Sequence, residues 1–258
     1  MGTYRIVTDS TTDLTPELIQ ELDVQVIPLC YMMGGKTYHN IPGGGAMTDK
    51  EFYAKLRAGS MSTTTQVNSE EFLHVFTPLL EAGQDVLYIA FSSGLSGTYQ
   101  SAVLAMEELK QRFPDRRLEV FDSLCASMGE GLLVYHAAKL RNAGKSLDEV
   151  LAWLKGNVLN VCHWFTVDDL NHLKRGGRVS TATALVGTML GIKPVLHVDD
   201  EGHLIPVSKV RGRKQSLDAL VKPMEETAQE PAGQLAFISP GTCRDDARCV
   251  GPQARGKP

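Results

Sequence analysis

No stretch of this 258-residue chain approaches the ~20 consecutive apolar residues that a membrane-crossing helix needs. Its start, MGTYRIVTDS, has neither the basic nor the apolar region of a secretory leader. A soluble, cytoplasmic protein without a membrane span is the expectation. Cysteine is scarce and unpatterned. Cys30, Cys125, Cys162, Cys243 and Cys249 are odd in number and form no CxxC pair, so neither a disulfide framework nor a zinc site is indicated. They read as small core residues. No basic block is present either: Lys and Arg number 26 against 30 Asp and Glu, a net charge of −4, and nothing would release counterions from nucleic acid. The phosphate-binding pattern GxxxxGK[ST], the dinucleotide pattern GxGxxG and the nucleophile elbow GxSxG are all missing.

What the chain does contain is a 43% hydrophobic content, enough to build a core, arranged as repeated strand, polar loop and helix. YRIVTDS leads into LTPELIQEL, with Pro16 in the first helical turn. VQVIPLCYMM reads as a second strand, followed by the turn-rich GGKTYHNIPGGG and the helix DKEFYAKLRAG. STTTQ precedes the helix SEEFLHVFTPLLEAG, which Gly83 stops. VLYIA is followed by SSGLSGT and a helix, and LEVFD by SLCAS and another. The alternation predicts an α/β fold with a parallel sheet, whose ligands bind outside the carboxyl ends of the strands. The texture changes after residue 158. VCHWFTV, KPVLHV and LIPVSKV, with a turn at DDEGH, predict a hairpin in a second lobe; QSLDALVKPMEETAQ is a helix and QLAFIS a further strand. The expected lobes are residues 1–158 and 159–258. RCVGPQARGKP holds one large apolar residue, Val250, too few to build a helix or strand of the core.

The polar loops TDSTTDL, STTTQ, SSGLSGT and DSLCAS carry Ser and Thr where catalytic sites carry bases or metal ligands. Hydroxyls and glycine-exposed N–H groups at helix N-termini bind an anion or a carboxyl head without a buried cation. One reading is that these residues are helix caps, which suits Ser10, Ser62 and Ser123. Capping needs one hydroxyl only, so SSGLSGT, with Gly94 and Gly97 around Ser96, points further, to a ligand site that includes Ser93, Ser96 and Gly97. The alternative is a serine hydrolase or acyl transferase using Ser96. Gly97 follows Ser96 directly and Thr98 occupies the outer glycine position, so the elbow fails by one residue. STATALVGTMLGIKPVLHV is apolar around most of its circumference. It is either a structural helix or one wall of a narrow apolar slot, with Leu185, Met189 and Ile192 as lining residues; at ~0.8 kcal/mol per buried CH2, a long alkyl chain is the occupant such a slot favours.

In sequence order, IVTDSTTDL, VIPL, TTTQ with SEEF, SSGLSGTYQSA, VFDS, FTVDDLNHLKRGGRVS, LGIKPVLHV and KVRGRKQSLDAL resemble the DegV family of bacterial fatty-acid-binding proteins. The likeness runs to about Ala247. It implies two α/β lobes of the DegV (EDD) type, a parallel-sheet first lobe and a smaller mixed-sheet second one. A long-chain fatty acid would lie between them, its carboxyl at Thr64, Thr65, Gln66 and Ser96, with Thr65 in place of the family's Ser. No catalysis, cofactor or metal is implied. The implied partner is a fatty acid kinase, for which Lys174, Arg175, Arg178 and Arg211 are docking candidates, although solvated charge explains such residues as well. Relatives continue to an HxGPG segment that this sequence lacks, and Pro240 stands where many have a His. A truncated second lobe with an exposed sheet edge and weakened lipid retention is the resulting expectation.

Overall fold

The computed structural model describes residues 4–168, 170–179, 191–230, 233–241 and 243–255. It divides into two compact units, Met1–Val161 and Cys162–Pro258.

The first unit is built on four parallel strands: β1 (Tyr4–Asp9), β2 (Gln25–Ile27), β6 (Asp85–Ala90) and β7 (Leu118–Asp122), in the order β2-β1-β6-β7. Val7 faces Gln25 on one side and Tyr88 on the other, so the chain leaves β1 in one direction and returns on its opposite flank. In open parallel sheets such a reversal marks the carboxyl ends of the two strands, here β1 and β6, as the place where ligands bind. The strands are buried on both faces, which is why IVT and VLYIA read as continuous apolar runs: Ile6, Val7, Val86, Leu87, Tyr88 and Ile89 are all sealed from solvent. Helices cover them. From α3 (Ser69–Glu81), Phe72 and Phe76 set their rings 5.0 and 5.9 Å from that of Tyr88. Burying each such side chain is worth ~1.5–3 kcal/mol. α4 (Thr98–Arg112) contributes Ala102, Ala105 and Leu109, and α5 (Ser127–Asn142) Leu133, Val134, Ala137 and Ala138. α1 (Pro16–Leu22) starts with Thr15 as cap and Pro16 in its first turn. Capping boxes start α2 (Asp49–Arg57), α3 and α6 (Leu147–Asn157): Thr48 with Glu51, Asn68 with Glu71, Ser146 with Glu149.

The expected single strand VQVIPLCYMM is two. Pro28 has no N–H for a ladder, and the Leu29 N–H donates to Ser10 Oγ at 3.0 Å instead of to a strand. Beyond that break β3 (Cys30–Met33) enters a separate antiparallel sheet of order β4-β3-β5. GGKTYHNIPGGG is therefore not all connection: Gly34 and Gly35, at φ 59° and 74°, make the two-residue turn with both φ positive that closes a hairpin onto β4 (Lys36–His39). STTTQ is likewise not a loop. Ser62–Thr65 form the strand β5, paired with β3, as β-branched threonines favour.

The second unit contains β8 (Trp164–Thr166), α7 (Asn171–Arg175), β9 (Ile192–Val198), β10 (Leu204–Arg211), α8 (Arg213–Thr227) and α9 (Arg244–Arg255). β9 and β10 form the expected hairpin, with Asp199 Oδ1 accepting from the Glu201 and His203 N–H groups in the turn. The sheet order is β10-β9-β8, antiparallel throughout among the described residues, where a mixed sheet was expected. The further strand expected at QLAFIS does not form either. Residues 234–239 join no ladder, and Leu235 and Ile238 remain exposed. The residues after it do form a helix, α9, packed against α8 and tied to it by Arg213 Nε on Asp246 Oδ2 at 2.9 Å. It is not a core helix, since none of its side chains of described burial is buried.

Candidate functional site

The loop after β6 divides its hydroxyls between two tasks. Ser92 and Thr98 are buried and serve the loop itself. Ser92 Oγ accepts from the Gly94 N–H at 3.1 Å and its carbonyl from the Leu95 and Ser96 N–H groups; Thr98 Oγ1 accepts from the Val67 N–H at 3.4 Å. Ser93 is exposed and Ser96 half-buried. Ser96 Oγ sits 2.9 Å from Thr98 Oγ1 and accepts from the Thr98 N–H. Those are its partners among the described residues, so the hydroxyl meets another hydroxyl where a nucleophile would meet a base.

The hydroxyl strand β5 is clamped to this loop. Gln66 Nε2 donates to Ser101 Oγ on the first turn of α4 at 3.1 Å, and a Cβ on Gly97 would fall 2.2 Å from Gln66 Oε1. A side chain at 97 would displace the Gln66 amide, although the backbone there, at φ −72°, would accept one. Thr64 and Thr65, both exposed, precede Gln66 on β5; Thr64 pairs with Tyr31 in the ladder, and Thr65 Oγ1 donates to the Cys30 carbonyl at 3.4 Å. α4 opens on Gly97, which offers no side-chain cap as Thr48, Asn68 and Ser146 do for α2, α3 and α6; Ser96 Oγ takes the Thr98 N–H of its first turn instead. Gln66 and Gly97 are therefore in contact, with Thr65 and Ser96 as their neighbours in the chain and Thr64 one residue further along β5. The Ser93 N–H donates to Asp122 Oδ1 at 3.2 Å.

The three serines suited to capping do something else. Ser10 Oγ receives Leu29 N–H, Ser62 is in a strand, and Ser123 Oγ accepts from Cys125 N–H at 3.1 Å within a turn. In the second unit, Ile192 begins β9 and is half-buried opposite the exposed Arg211 at the end of β10. Leu185 and Met189 lie outside the described residues. Lys174 and the exposed Arg175 belong to α7, which is followed by a Gly176-Gly177 turn and by Arg178, whose guanidinium folds back onto the Gly176 carbonyl.

A family model described as "Uncharacterised protein, DegV family" matches residues 3–255. The chain belongs to the DegV family. A DegV domain-containing protein of Clostridium perfringens is 42% identical over 258 residues, all of this chain and 88% of that one. Among solved structures, a DegV family protein from Thermus thermophilus, described for fatty acid binding, is 36% identical with a TM-score of 0.77, covering 88% of this chain and 78% of that one. DegV of Bacillus subtilis, a fatty acid binding protein, is 30% identical with a TM-score of 0.71 over 86% of this chain and 77% of that one.

Beneath the site of this DegV family chain lies a group that reading the sequence missed. Asp9 and Glu130 are both fully buried and meet through Thr11. A signal was available in SMGEGLLVYHAAKL. Glycine inside a helix costs ~1 kcal/mol, so Gly131 beside a lone acid in an apolar helix marks a close approach. A Cβ there would meet the Thr12 carbonyl at 2.7 Å. No helix among the described residues is long and apolar enough to cross a membrane.

Proposed function

We propose that the protein binds a long-chain fatty acid non-covalently, holds its carboxyl with Thr64, Thr65, Ser93, Ser96 and the backbone at Gly97, and performs no bond-breaking of its own. The observation that carries this reading is the clamp of the threonine strand β5 onto the first turn of α4, through Gln66 and Ser101. It brings neutral hydroxyls and helix N–H donors together, the donor set that suits a carboxylate. Fatty acid binding by the Thermus and Bacillus relatives supports the same ligand class. Neutral donors grip with ~1 kcal/mol each, which suits a ligand that must later be released. We place the protein as a carrier that presents the acid to a fatty acid kinase, with Arg175, Arg178 and Arg211 as docking residues; Arg175 and Arg211 are exposed as docking requires. Ile192, Leu185 and Met189 are assigned to the alkyl chain.

The test is lipid extraction from the purified protein and from a Thr64→Ala, Ser96→Ala double variant. Losing two hydroxyls is expected to weaken binding by about 2 kcal/mol, roughly thirtyfold, without unfolding. Equal lipid content in parent and variant would contradict the head-site assignment.

A further inference from the structure

The carboxyls of Asp9, at the end of β1, and Glu130, on α5, are bridged by one hydroxyl. Thr11 Oγ1 lies 2.5 Å from Asp9 Oδ1 and 2.7 Å from Glu130 Oε2. A hydroxyl has one proton and can satisfy only one of them. Thr8 Oγ1 is in the same position, 2.9 Å from the Ile89 carbonyl and 3.2 Å from Glu130 Oε1. If both acids were ionised, Thr11 would face a carboxylate oxygen at 2.7 Å with no proton between them. One acid therefore carries a proton, and the donors around each decide which. Asp9 receives two backbone N–H groups, from Thr11 at 3.0 Å and Phe91 at 3.2 Å, and the Tyr88 hydroxyl at 2.7 Å, all independent of the shared proton. Among the described residues, Glu130 is met by the two hydroxyls alone.

We infer that Glu130 is held as a neutral carboxylic acid donating to Thr11, which donates in turn to an ionised Asp9, and that Asp9 is a positioning residue for the loop carrying Ser93 and Ser96. The link to that loop is the Phe91 N–H, at the loop's first residue, on Asp9 Oδ2. Burial pushes the Asp9 carboxyl up as well, but its hydrogen bonds from Thr11, Tyr88 and Phe91 pull it back, whereas Glu130 is carried well up. Burial and then the Asp9 charge push its carboxyl well up, and Asp13 adds to the shift; Tyr88 and Cys125, which face it from β6 and from the turn after β7, are themselves pushed up, first by burial. None of these neighbours is a cation. A neutral Glu130 leaves one anion, not two, beneath a site read here as receiving a carboxylate. The relevance to lipid rests on that reading; the proton assignment does not.

The full-length protein is tested by infrared spectroscopy at neutral pH, by urea unfolding between pH 5 and 8, and by amide hydrogen exchange. A protonated-carboxyl C=O band is expected in the parent and absent from Glu130→Gln. The unfolded chain loses this proton from about the ordinary value of 4.5 upward while the folded chain keeps it, so the contribution of Glu130 to stability falls as pH rises, read as a difference in unfolding free energy between parent and Glu130→Gln that shifts against the parent from pH 5 to pH 8. A parent without the band, or a band that survives Glu130→Gln, overturns the assignment. Asp9→Asn is expected to raise amide exchange across residues 91–98 by about tenfold, and Tyr88→Phe, which keeps the ring and serves where Asp9→Asn does not fold, by about threefold. Unchanged exchange there overturns the positioning role. If the carrier reading alone is wrong, the parent holds no lipid while the band, the pH profile and the exchange pattern stay as stated.

Discussion

Gly97 and Gln66 touch across the gap between β5 and α4: a methyl group on Gly97 would overlap Gln66 Oε1 at 2.2 Å. Gln66 is the residue through which the threonine strand is held against α4, by way of Ser101. The contact is therefore a measure of how firmly β5 and α4 are joined.

Gly97→Ala follows directly. Its backbone, at φ −72°, accepts alanine, so the cost falls on Gln66, whose amide must swing off Ser101. We expect a folded variant, a melting temperature lower by a few degrees for ~1 kcal/mol lost, and reduced fatty acid retention. In a Gln66→Ala background the same substitution should cost little, because the overlap is gone. Equal costs in both backgrounds, read by urea unfolding, would show that the contact is not what glycine protects.

His163, which precedes β8, supplies a pH prediction. Burial, and secondarily the His197 imidazole, push it down to about 4, and its Nε2 is buried without a hydrogen-bond partner among the described residues. His197 Nδ1 donates to the His163 carbonyl at 2.6 Å and its ring stacks on Trp164. A depressed histidine stabilises the fold above its unfolded value of 6.5, and that stability is lost as pH falls toward 4. Between pH 7 and pH 5 the loss is up to about 2 kcal/mol. Urea midpoints of the parent and of His163→Phe should diverge over that interval, the variant being the flatter; parallel curves would remove His163 from the account.

The proposed kinase contact is separable from lipid binding. Charge reversal at Arg175 and Arg211 is expected to slow phosphorylation of the bound acid by roughly tenfold, more at low salt, with lipid content constant. If lipid and turnover fall together, the arginines act on the ligand or the fold and not on docking.

How much of this was readable in the sequence depends on where the information lies. The parallel sheet was, because β1 and β6 are buried on both faces and show as unbroken apolar runs. The hairpin β3-β4 was hidden behind Pro28, which ends one strand and lets the next begin in another sheet with no polar gap to mark it. STTTQ was given the wrong local structure, since a hydroxyl-rich run bounded by polar residues looks like a loop until its threonines are seen to pair with Tyr31 and Cys30. QLAFIS erred in the other direction, an apolar run that joins no ladder among the described residues. In the candidate site, Ser96 and Gly97 stood out by their spacing, whereas Ser92 and Thr98, identical in type, turn inward, a distinction that exists only in three dimensions. The pairing of Asp9 with Glu130 spans more than a hundred residues and leaves no local pattern beyond the glycine at 131.

The most direct test of the central claim, that neutral donors hold a fatty acid here without chemistry, is mass spectrometry of the purified protein under native and then denaturing conditions. A long-chain fatty acid that accompanies the native protein and is released intact on denaturation, leaving Ser96 unmodified, is the predicted result. A protein that carries no lipid even after incubation with long-chain acids, or one that retains an acyl group on Ser96 after denaturation, would contradict it.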